Sequence, residues 1–165
     1  MRLLLALLLL ATPALAADSV PAPGLAGTWA LESEASDSVD PLLAALGRSK
    51  MERTMAKRIK SVTHTVVLDN GWVEVTSANT FRTQTSRIEL GKTNTIDIMG
   101  QAMEVTAETK NGRVVTSGAL TLSTGPATLQ TARGLADPST MELVLTLTPD
   151  GGKPVIVRRV FRKQP

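Results

Sequence analysis

Two arginines on alternating segments are the residues of this sequence best placed to do chemistry. Along Pro154–Lys163, Val155, Val157, Arg159 and Phe161 share one face, and Ile156, Arg158, Val160 and Arg162 the other. The preceding run sets Met141, Leu143, Leu145 and Leu147 against Glu142, Val144, Thr146 and Thr148, so its first set must face an interior. If the Val155 face turns the same way, Arg159 enters an apolar space. A guanidinium cannot shed its proton there, so it needs a carboxylate, ordered water or an anionic ligand. If the other face is the inner one, Arg159 is solvated. Arg133 shares a face with Leu129 and Thr131 and would be a second inward cation, unless Gly134 beside it marks a strand end in water. Two such arginines on nearby strands would converge on a carboxylate better than on a neutral group.

Other reactive residues point less clearly. His64, the single histidine, lies on the Val62/Val66/Leu68 face without evident metal ligands or an acid–base partner, which reads as a satisfied or water-linked strand histidine. Glu34, Asp37 and Asp40 cluster where carboxylates favour a helix start. No phosphate-binding glycine loop, nucleophile motif or metal-ligand spacing occurs, so a non-enzyme with no cofactor and no metal is expected. Tyrosine and cysteine are both absent, and two Trp and two Phe are the only aromatic residues. Nucleic-acid binding through stacked bases is therefore disfavoured, and stability must come from packing rather than disulfides.

The elements that must position these residues are mostly strands. Gly27–Ser33 reads as a first strand with Trp29 and Leu31 on one face. Asp40-Pro41 opens a short helix with Leu42, Leu43 and Leu46, closed by Gly47. Ser49-x-x-Glu52 fits a capping box for a second helix, in which Met51, Met55 and Ile59 form an apolar stripe among Lys50, Arg53, Lys57 and Arg58. From Val62 the period becomes two. Nine further strands follow at short spacing, turning at Asn70-Gly71 and Asn111-Gly112 among other places, with one expected to end at Arg133. The predicted architecture is all-β, a ten-stranded up-and-down barrel with a helix-turn-helix after the first strand. A β-sandwich would need longer crossovers.

The beginning of the chain reads as an export signal. Met1-Arg2 is a positive start, Leu3 to Ala11 an apolar run too short to span a bilayer, and Ala14-Leu15-Ala16 a cleavage pattern. Cleavage after Ala16 would leave a flexible lead over 17–26 and a barrel domain over 27–165. It would remove only Arg2 from 18 basic residues set against 15 acidic ones, too even a balance to imply a polyanionic partner. A secreted or periplasmic location is expected.

These features, in order, resemble the fatty-acid-binding protein branch of the lipocalin-like (calycin) barrels. Gly27-Thr28-Trp29 is similar to the opening Gly-x-Trp, and Leu42 to Gly47 with Met55-Ala56-Lys57 to the helical lid. Asn79-Thr80-Phe81-Arg82 through Leu90-Gly91 is similar to a Thr-Phe…Leu-Gly stretch, and Leu143–Thr148 with Arg159-Val160-Phe161 to the closing strands. The resemblance implies a barrel holding a fatty acid or related hydrophobic ligand. It places the family's Arg-x-Tyr pair on Arg159 and Phe161 and its other arginine on Arg133. It also places acyl contacts on Leu43, Leu46, Phe81, Leu145 and Leu147. Phe161 lacks the tyrosine hydroxyl.

The expected function is a non-catalytic, exported carrier of such a ligand. Lys50, Arg53, Lys57 and Arg58 offer a transient contact with an anionic membrane surface. The alternatives are an envelope or secreted protein-interaction or inhibitor module with a filled barrel, or a lipid-modifying enzyme.

Overall fold

The computed structural model describes residues 21–98 and 101–165; the expected signal peptide lies outside them. Strand β1 (Gly27–Leu31) is followed by helices α1 (Asp40–Ala45) and α2 (Lys50–Arg58). Nine strands complete the chain: β2 (Val62–Asp69), β3 (Trp72–Asn79), β4 (Thr83–Glu89), β5 (Thr93–Ile98), β6 (Gln101–Lys110), β7 (Arg113–Leu122), β8 (Gly125–Asp137), β9 (Thr140–Pro149) and β10 (Val155–Lys163). All ladders are antiparallel, in the order β4-β3-β2-β1-β10-β9-β8-β7-β6-β5. The ten-stranded up-and-down barrel with two helices after its first strand is thus present.

Closure is not complete. β4 and β5 end the strand order without pairing, and side chains span the seam instead. Gln84 Nε2 donates to the Asp97 carbonyl at 2.8 Å, and Asn94 both accepts from Glu89 N–H and donates to its carbonyl. Amide side chains here stand in for the ladder bonds that a closed barrel would have.

Several local expectations change. The part of the lead that is described, residues 21–26, is tied down: Ala22 N–H donates to Gly112, and Leu25 is fully buried with its carbonyl accepting from the Trp29 indole at 3.0 Å. β8 does not stop at Arg133 but continues to Asp137, with an irregularity between Leu135 and Asp137. Gly134 is no terminator. A Cβ there would collide with the Arg113 side chain, which lies across the strand to reach Glu142 at 3.3 Å. Asn111 and Gly112 sit at φ 52° and 70°, as their tight hairpin requires.

Of the two lid helices, α1 packs through buried Leu42 and Leu43, whereas α2 is held by charge more than by apolar packing. The capping box of α2 forms between Ser49 and Glu52, but the Met51/Met55 stripe does not pack inward. These methionines are 72% and 52% exposed, and α2 buries no side chain. Asp40 explains the rotation: its carboxylate takes two 2.8 Å bonds from Arg53 and a 3.3 Å contact from Lys57. This draws the basic side of α2 onto α1, and those cations hold the Asp40 carboxyl down at about 2.

Inside, two apolar clusters fill much of the barrel. One gathers Leu25, Trp29, Val66, Val73, Met141 and Phe161, and the other Leu42, Met103, Val105, Leu129, Leu147 and Val157.

Candidate functional site

Strand register places the inward arginines. Arg133 of β8 pairs with Leu143 of β9, which pairs with Arg159 of β10, so the three form one row on the same face. With strands about 4.8 Å apart, the arginine Cα atoms stand roughly 10 Å from each other. The Val155 face is therefore the inner one, and the extension of β8 past Gly134 keeps Arg133 within the barrel wall rather than at its edge.

A cavity of about 440 Å³ lies between this row and the lid, within the roughly 300–1,000 Å³ of small-molecule sites. Leu43 of α1 and Ile59 just after α2 line it, as do His64, Leu145, Arg159 and Phe161. Arg48, Glu52, Ser77, Asn79, Arg82 and Gln84 supply its polar lining. A larger open depression of about 690 Å³ at the opposite end, around the β2–β3 and β4–β5 turns, contains neither inward arginine.

His64 joins the two halves of the site. Its Nδ1 lies 2.9 Å from Arg133 Nη1, and its ring stacks on Phe161 with centroids 4.4 Å apart and planes at 25°. An arginine can only donate, so Nδ1 accepts and the imidazole is neutral. Burial first, then the Arg133 and Arg159 charges, push the His64 pKa down to about 2. Only the Nδ1 side of the ring is satisfied, by a partner that sequence spacing does not reveal.

Neither inward arginine is held in a salt bridge among the described residues. Burial lowers the Arg133 pKa to about 10, and it lowers that of Arg159 too, partly opposed by the Asp37 carboxylate. Arg159 Nε is buried without a hydrogen-bond partner among the described residues. The site is a largely apolar chamber with Arg159 in its wall and Arg133 just behind His64, and Arg48, Glu52 and Arg82 also line it.

No family model and no curated protein matches the sequence. Solved structures match the fold. A Schistosoma mansoni fatty acid binding protein in complex with arachidonic acid is 18% identical, with a TM-score of 0.72 over 87% of this chain and 98% of that one. Caenorhabditis elegans lipid binding protein 8 is 17% identical, with a TM-score of 0.73 over 88% and 99%. The REP1-NXSQ fatty acid transporter is 21% identical, with a TM-score of 0.71 over 87% and 98%. The chain has the fatty-acid-binding-protein fold.

Within that fold the expected site residues separate. Arg133, Arg159, Phe161, Leu43 and Leu145 gather at or beside the cavity. Leu147 is fully buried in the second apolar cluster, and Leu46 lines a separate recess of about 40 Å³ with Met103 and Leu129. Phe81 does not enter the chamber; it is 71% exposed in the β3–β4 turn. There Asn79 Oδ1 accepts from the Phe81 and Arg82 N–H groups, and pairing resumes only at Thr83, so the ring stands out from the rim. Sequence reasoning missed Asn79, Gln84 and Leu143 as lining residues. Strand alternation carried a signal for Leu143 alone.

Proposed function

We propose that this protein is an exported, non-catalytic carrier of a hydrophobic acid, a fatty acid or related lipid, whose carboxylate lies between Arg133 and Arg159. The observation that carries this reading is the pair of inward guanidiniums in no salt bridge among the described residues, beside a largely apolar cavity. A bound carboxylate would supply the missing counter-charge, while Leu43, Leu145 and Phe161 contact the chain. Neutral His64 already spends its lone pair on Arg133, which removes it as a general base. The complex of the Schistosoma protein with arachidonic acid supports the same ligand class.

Loading would involve the lid. Of the four cations considered for membrane contact, Arg53 and Lys57 are engaged with Asp40. Lys50 and Arg58 remain beside the exposed Met51 and Met55, a face suited to brief contact with an anionic bilayer. Displacement of a fluorescent fatty acid from delipidated protein tests the carrier reading, and lipid extraction of protein purified from its source identifies the cargo. An absence of both displacement and co-purified lipid overturns it. N-terminal sequencing of the same material should begin at Ala17.

A further inference from the structure

We propose that His64 is a third headgroup contact, whose Nε2–H donates a hydrogen bond to the bound carboxylate. This deepens the carrier reading and rests on it.

The argument starts from the proton. Arg133 Nη1 donates to His64 Nδ1 at 2.9 Å, so the ring must carry its hydrogen on Nε2. The Phe161 stack fixes the ring plane, and a guanidinium anchors one edge of it, so the opposite edge has little freedom. Nε2 has no hydrogen-bond partner among the described residues and is not one of the fully enclosed polar atoms. His64 is only 7% exposed and lines the cavity, so the surface that its free edge keeps is cavity surface. Arg159, with its unpartnered Nε, lines the same space. A polar N–H directed into a largely apolar chamber beside a cation in no salt bridge fits an acceptor that is both anionic and small.

The same geometry sets the protonation of the complex. Accepting from Arg133 requires the Nδ1 lone pair, so His64 stays neutral as it donates from Nε2. The depressed pKa of the ring agrees with this. The carboxylate is then held by two charges and one neutral donor, with no proton taken up around neutral pH.

The test compares palmitate with hexadecanol on the full chain, in its unsubstituted form and as H64F and H64Q. H64F retains a ring to stack on Phe161 but loses the donor. It should weaken palmitate binding about tenfold or more while changing hexadecanol binding far less. H64Q, which offers an oxygen to Arg133 and an N–H to the ligand, should recover part of the loss. Equal palmitate affinity in H64F and the unsubstituted chain overturns the proposal and leaves the carrier reading intact. If the unsubstituted chain does not bind palmitate, both fall. A measurement independent of variant folding is nitrogen-15 NMR of the imidazole. It should show the Nε2–H tautomer, with a proton resonance that moves when palmitate is added. A resonance that does not move, or the other tautomer, overturns the proposal.

Discussion

At the scale of single residues, Arg159 sets a tension between stability and binding. Its guanidinium occupies a place that an apolar side chain would fill at lower cost in the unliganded protein. Replacement by methionine should raise the stability of the unliganded protein by about 1 kcal/mol, measured by urea unfolding. The same variant should lose roughly tenfold or more in fatty-acid affinity, measured by fluorescent displacement. Arg159 was legible because strand alternation and a strongly apolar neighbouring strand together force a choice of face. Arg133 was harder to read, since Gly134 has the look of a strand end; only the Arg113 side chain lying over it explains the missing Cβ. The bond from Arg133 to His64 was not legible at all. The two residues are 69 positions apart on strands that are not neighbours, and no local pattern encodes a contact across a barrel interior.

At the scale of elements, close approach and ion pairing govern what propensity leaves open. Gly118 of β7 sits where a Cβ would collide with the Glu104 carbonyl of β6, which is backbone and cannot swing away. G118A should therefore destabilise the protein by about 1–3 kcal/mol, with amide exchange in β6 and β7 quickening first. On the lid, D40N should loosen α2 from α1 and speed amide exchange in α2, because Arg53 and Lys57 lose their shared partner. Unchanged exchange would mean that this ion pair does not hold the lid. The capping box and the Asn-Gly hairpin could be read from local sequence because each is decided within four residues. Neither the orientation of α2 nor the open seam between β4 and β5 could. The methionine stripe is a sound helical pattern, but Asp40, on another helix, determines which side faces in. Strand periodicity likewise reports that a strand exists and which face is apolar, not whether its edge finds a partner.

At the scale of the whole molecule, the buried imidazole ties stability to pH. The folded His64 titrates at about 2, whereas its ordinary value is 6.5. Between these values the unfolded chain binds one more proton than the folded one, so stability is full above pH 6.5 and falls as pH drops. The expected slope approaches about 1.4 kcal/mol per pH unit below the unfolded value. The window from about pH 6.5 to 5 isolates this residue, since the carboxylates with depressed pKa values begin to matter only nearer their ordinary range. Urea unfolding across that window should show the slope in the unsubstituted protein and lose most of it in H64F.

The unpaired arginines also have a consequence for how long a molecule lasts. Without an anion, two inward guanidiniums lie buried or partly buried with no salt bridge, and the barrel opens more readily than it would with the charge cancelled. A cargo acid that binds only the folded form closes that route in proportion to its concentration over its Kd. Proteases that act on opened chains would then remove vacant molecules before loaded ones. On the proposed carrier reading, the surviving population would be enriched in loaded molecules, and the lifetime of the protein would read out cargo supply.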